Sequence, residues 1–130
     1  MADNELMVDT TILIDYFRKT DIATSNLVSH FKQYNRIYIS SVTESEVING
    51  ATEKHLEFWN GMLPRFTVLD FDSKGAREAA NIVAQLKTKR KTIDKPDLFI
   101  AATAVVHDLT LDTLNIKHFV DIDNLKLLAK

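Results

Sequence analysis

Short apolar runs alternate with stretches whose apolar residues recur at helical spacing, and this alternation runs through the whole chain. Leu6–Asp9 reads as a short buried strand, followed directly by a helix near Thr11–Phe17. A second helical stretch, Ile22–Gln33, spaces Leu27, Val28 and Phe31 along one side. Ile37–Ile39 is the next strand. Ser41 then opens a helix, with Glu44 three residues on in a capping-box pattern. Leu56, Trp59 and Leu63 mark a helix over Glu53–Met62 that Pro64 ends. Phe66–Phe71 reads as a third strand. Ser73–Lys87 carries Ala76, Ala79, Ala80, Val83 and Leu86 on one face of the clearest helix. Pro96 suits the first position of a helix that runs to about His107. Leu109–Thr113 is a fourth strand, and a last short strand is expected near Phe119–Ile122.

Strands separated by helices imply a parallel sheet covered on both faces. The expected fold is therefore α/β: three α/β/α layers around a mainly parallel sheet of four to five strands. At 130 residues, without repeat or linker, the chain reads as one domain spanning 1–130. A hydrophobic share of 45% and a charged share of 26% suit a globular domain and argue against disorder. Cysteine is absent, which removes disulfides and thiolate metal sites. Residues 1–5 lack the basic start and apolar stretch of an export signal, and no apolar run approaches the ~20 residues needed to span a bilayer. The expected location is the cytoplasm. With 16 basic and 18 acidic residues the net charge is −2, so nucleic-acid binding would need a local basic patch or a bound metal.

In open parallel sheets, sites form beyond the carboxyl ends of the strands. Asp9 ends the first strand there, Asn115 lies just past the fourth, and Glu46 and Asp97 fall near helix starts. A buried carboxylate is costly unless paired, hydrogen-bonded or metal-bound. Asp9 equally suits a helix cap. Glu44 and Glu46 project about 200° apart at ~100° per residue, so both cannot face one point, and periodicity does not choose between them. Asp97 gains from the helix dipole at its position. The small residues Ile100-Ala101-Ala102-Thr103-Ala104 would also let its helix lie close to the sheet. Three gathered carboxylates repel one another without a cation. Magnesium or manganese prefers such oxygen ligands and can drive phosphodiester hydrolysis.

Four segments, MVDTTILIDYFR (7–18), ISSVTESEVINGA (39–51), KPDLFIAATAVVHDLTLDT (95–113) and TLNIKHF (113–119), together resemble the PIN-domain family, especially the VapC toxins of bacterial toxin–antitoxin pairs. The resemblance implies an Mg2+- or Mn2+-dependent endoribonuclease, with transfer RNA as the target class. It places the family's acids on Asp9, Glu46 and Asp97 as metal ligands, Glu46 being chosen over Glu44 through its Thr43-x-x-Glu context. Where similar proteins often carry a fourth acid, this chain offers Thr113, Asn115 and His118. Asn115 could donate a carbonyl ligand or orient water. Asp15 becomes an outer-shell group. Thr11, Thr113 and the basic residues Lys89, Arg90 and Lys91, beside Lys87 and Lys95, are the expected RNA contacts. The implied partners are a VapB-like antitoxin and a second copy in a homodimer; Trp59, Leu56 and the Leu27 helix are candidate surfaces, with core packing the favoured role for them.

Asp112, next to Thr113 in a strand, should point to the opposite face. His30, His55 and His107 have no motif context. A haloacid-dehalogenase-like phosphatase would want an aspartate where Thr11 stands, and only three glycines are present, which excludes a glycine-rich phosphate loop. The rival reading is a catalytically weakened PIN domain serving as a nucleic-acid- or protein-binding module.

Overall fold

A computed structural model describes residues 4–19 and 21–129, so residues 1–3, which hold most of the N-terminal segment examined for an export signal, lie outside the description. The described residues build strands β1 (Glu5–Val8), β2 (Arg36–Ser40), β3 (Thr67–Leu69), β4 (Thr110–Asp112) and β5 (Lys126–Leu127). They pair in the order β3-β2-β1-β4-β5, and every pairing is parallel. The helices are α1 (Thr10–Arg18), α2 (Asn26–Gln33), α3 (Ser41–Asn49), α4 (Glu53–Met62), α5 (Ser73–Thr88) and α6 (Lys95–Val106).

Strand alternation divides the apolar residues into two cores. Leu6, Val8, Ile37 and Ile39 face one side, where they pack with Ile12 and Leu13 of α1, Leu27 of α2 and Trp59 of α4. Met7 and Leu111 face the other side and pack with Ile82 and Leu86 of α5 and with Ile100, Ala101 and Ala104 of α6. The expected three-layer arrangement is present. Trp59 and Leu27 are buried in the first core, which accounts for both residues as packing. None of the described helices is long and apolar enough to cross a membrane.

Four local expectations change. The strand expected at Phe119–Ile122 is absent. Ile116–His118 forms a 3₁₀ turn, and the Ile122 amide donates to the Phe119 carbonyl (3.1 Å) in a following turn. Phe119 and Ile122 are both buried with exposed Val120 between them, a spacing of three that a turn satisfies. The last strand comes later, at Lys126–Leu127 on the sheet edge. The stretch expected as one helix over Ile22–Gln33 breaks at Ser25, which is extended (ψ 150°) and caps α2 through the Val28 amide. A 3₁₀ turn at Ile22–Thr24 precedes it. The cap of α3 is Ser40, one residue before the expected position, while the Ser41 hydroxyl accepts from the Phe71 amide (3.3 Å) and ties α3 to the end of β3. The third strand is confined to Thr67–Leu69.

The strand order locates the site. From β1 the chain winds outward through β2 to β3, then returns to place β4 on the other side of β1. The connections therefore diverge between β1 and β4, where an open parallel sheet leaves a crevice at its carboxyl edge. Asp9 follows β1 and Thr113 follows β4, and the Asp9 amide donates to the Asp112 carbonyl (3.1 Å) across that gap.

Candidate active site

Asp9 lies at this switch point and is 2% exposed. Its Oδ1 accepts from the Thr11 amide (3.0 Å) and the Thr11 hydroxyl (2.5 Å). Its Oδ2 accepts from the Thr113 hydroxyl (2.5 Å). The two hydroxyls accept in turn: Thr11 Oγ1 from the Leu114 amide (2.9 Å) and Thr113 Oγ1 from the Asn115 amide (3.0 Å). Each threonine thus couples the carboxylate to the backbone beyond β4. Asp9 also caps α1, so the cap reading and the site reading describe one residue. Burial pushes its pKa above the ordinary aspartate value, against the lowering effect of the Thr11 and Thr113 hydroxyls and the Ile12 and Thr11 amides.

Thr10 brings in the second acid. Its hydroxyl donates to Glu46 Oε1 (2.6 Å) and lies 3.2 Å from the Thr43 hydroxyl, which is wholly buried. A contact made by the residue next to Asp9 thereby turns Glu46 towards the α1 start, while Glu44 occupies the first turn of α3. The third acid, Asp97, stands in the first turn of α6, where its Oδ2 lies 3.0 Å from His118 Nδ1. Helix α3 packs against α6, so Glu46 and Asp97 sit on adjoining elements.

Asn115 precedes the 3₁₀ turn and lines a depression with Thr10, Thr11, Ile14, Asp15 and Leu114. Asp15 is half-buried, one oxygen 3.6 Å from Lys19 Nζ and the other buried without a hydrogen-bond partner. Among the basic residues, Lys91 lines a separate cleft with Asp97 and His118. Lys89 Nζ instead contacts the Asp121 carbonyl (2.8 Å) and Asp123 (2.6 Å), and Arg90 takes a left-handed backbone (φ 58°) at the end of α5. Asp112 points away from the Thr113 side and meets His30 Nε2 at 2.5 Å, which gives His30 a structural context that the sequence lacked.

Sequence reasoning did not single out Thr10, whereas His118, expected near the site, is an exposed, hydrogen-bonded histidine on Asp97. The signal for His118 was its place in TLNIKHF, three residues after Asn115. No sequence signal marked Thr10 apart from its position between Asp9 and Thr11.

The donor chemistry fits a hard divalent cation. Asp9, Glu46 and Asp97 offer carboxylate oxygens and Asn115 an amide oxygen, the ligands that magnesium and manganese prefer. Among the described residues no three histidine or acidic side chains stand together closely enough to hold an ion. An ion held by Glu46 or Asp97 would compete with the Thr10 hydroxyl and the His118 imidazole that now engage them.

A model of the PIN domain matches residues 6–125, nearly the whole chain. The chain is a PIN domain of the VapC family. Ribonuclease VapC10 of Mycobacterium tuberculosis is 35% identical over 122 residues, covering 93% of this chain and 90% of its own. Ribonuclease VapC1 of Methanocaldococcus jannaschii is 32% identical over 118 residues, covering 90% and 80%. Among solved structures, the DNA-bound VapBC of Salmonella typhimurium superposes with a TM-score of 0.85 at 26% identity, covering 98% of both chains. A toxin–antitoxin complex from Klebsiella pneumoniae gives a TM-score of 0.71 at 30% identity, covering 92% of this chain and 94% of its own. The five-stranded parallel sheet with helices on both faces is thus the PIN architecture, shared with VapC relatives along nearly their full length.

Proposed function

We propose that this PIN domain is a metal-dependent endoribonuclease acting in the cytoplasm as the toxin of a VapBC-type pair, with transfer RNA as its substrate class. The observation that carries the reading is the buried Asp9 carboxylate at the β1/β4 switch point, held by three donors beside the Glu46-bearing helix. Relatives named as VapC ribonucleases support the activity, and neighbours solved as VapBC and toxin–antitoxin complexes support a VapB-like antitoxin. A homodimer completes the proposed assembly.

In this reading Asp9, Glu46 and Asp97 hold Mg2+ or Mn2+. When bound, such an ion would offset charge on the phosphodiester and lower the pKa of a water. Thr11 and Thr113 fix the Asp9 carboxylate so that its orientation costs nothing further when substrate arrives. Asn115, whose backbone is tied to Thr113, presents an amide to the water or the ion. Lys89, Arg90 and Lys91 belong to the basic loop leading into α6 and are assigned to RNA phosphates. Lys89 contributes there only by releasing Asp123.

Incubation of the purified protein with total RNA and Mg2+ or Mn2+, followed by mapping of the cut ends, tests this reading. Discrete cuts in transfer RNA that stop on chelation and return with added metal are expected. Cleavage that ignores chelation would refute the metal assignment. RNA left intact under every metal condition would favour the binding-module reading.

A further inference from the structure

The cleft beside Asp97 has a volume of about 240 Å³ and is lined in part by Lys91, Thr92, Ile93, Asp97, Lys117 and His118. Two cations therefore reach it from separate elements: Lys91 from the loop before α6 and Lys117 from the 3₁₀ turn after β4. Three other lysines are held by carboxylates. Lys19 pairs with Asp15, Lys89 with Asp123 and Lys126 with Asp108. Among the described residues neither Lys91 nor Lys117 forms an ion pair within 4.0 Å, although Asp94 and Asp121 line the same cleft. Asp97 is already engaged by His118.

The turn that carries Lys117 divides two depressions. Asn115 borders the one with Thr10, Thr11 and exposed Leu114, next to the residue that clamps Asp9. Lys117 and His118 border the other. Asp97, one of the proposed acids, lines that cleft itself, so an RNA strand engaged by the acids would run past both ammonium groups. Unpaired ammonium groups there are the chemistry that recognises a phosphate, without reading a base.

We propose that Lys91 and Lys117 form a subsite for the RNA phosphate adjacent to the one cleaved. This inference rests on the ribonuclease reading and adds Lys117 to it. The test is equilibrium binding of a single-stranded RNA to the Asp9→Asn protein, which binds without cutting, over a series of salt concentrations. Lys91→Ala/Lys117→Ala should raise Kd about tenfold. It should also flatten the plot of log affinity against log salt by roughly 0.7, the value for one phosphate contact on a single strand. Arginine at both positions should restore affinity, and Lys54→Ala, at an exposed position of α4, should leave both quantities unchanged. Unchanged affinity and slope in the double alanine variant would overturn the subsite, as would an equal loss from Lys54→Ala. In either case cleavage by the wild-type protein would leave the ribonuclease reading standing. Wild-type protein that cuts no RNA, with Asp9→Asn protein that binds none, would remove both.

Discussion

Replacing Asp9 with asparagine is expected to yield a folded protein whose RNA cleavage falls by at least about a thousandfold, roughly 4 kcal/mol of lost transition-state stabilisation. Asparagine keeps the shape and an acceptor for the Thr11 amide and hydroxyl, while its NH₂ faces the Thr113 oxygen, which can accept. The hydrogen-bond network therefore survives the loss of charge. Stability should move in the opposite direction from activity. Burial holds the Asp9 pKa above its ordinary value of 3.8, so the native state favours the protonated form. That contribution to stability is fully present below pH 3.8 and is lost as pH rises through the raised folded-state value. At neutral pH the wild type thus carries a buried charge that the variant lacks. Thermal melts should place the variant at or above the wild type near pH 7, with the gap closing as pH falls towards 3.8. A variant that melts well below the wild type at pH 7 would mean that the carboxylate is a structural anchor instead.

The second large effect concerns the other face of β4. His30 of α2 and Asp112 of β4 meet at 2.5 Å, with side-chain exposures of 9% and 0%. Removing one partner of a buried hydrogen bond typically costs about 1–3 kcal/mol, and more where the group left behind is charged, because that group keeps its desolvation penalty. His30→Leu should accordingly cost about 3 kcal/mol in urea unfolding. Leucine at both positions should recover part of that loss, since apolar replacement of a whole buried pair is often neutral. Single and double variants within 1 kcal/mol of the wild type would show that the pair contributes little. The pair also bears on the site, because Asp112 immediately precedes the threonine that holds Asp9.

The layers of the fold were legible because strand alternation and helical spacing report burial directly. Leu6 and Val8 separate from Met7, and Ala79 and Leu86 mark the face of α5 that joins the second core with α6. The C-terminal segment was not, because Phe119 and Ile122 are apolar and close together, a pattern that a strand and a turn both accommodate. Asp9 could be placed from its position at the end of a buried strand. The choice of Glu46 over Glu44 was beyond helical periodicity, which gives the angle between two side chains but not the element they face. The resemblance made that choice, and Thr10, 36 residues away in sequence, supplies the contact that turns Glu46 towards α1. Contacts between distant residues account for the remainder. The pairing of His30 with Asp112 spans 82 positions and that of Lys89 with Asp123 spans 34, and neither leaves a local pattern. The basic cluster before α6 therefore read as one group, although the structure ties one member down and leaves another facing the cleft.

The central claim is that Asp9, Glu46 and Asp97 act together on one divalent ion, although each now has its own hydrogen-bond partner. Manganese binding to the RNA-free protein, followed by calorimetry or by the loss of the free-ion electron paramagnetic resonance signal, tests it most directly. The account predicts a saturable site in the wild type, weakened at least about tenfold in each of Asp9→Asn, Glu46→Gln and Asp97→Asn. Manganese affinity unchanged by Asp9→Asn, or absent from the wild type, would contradict it.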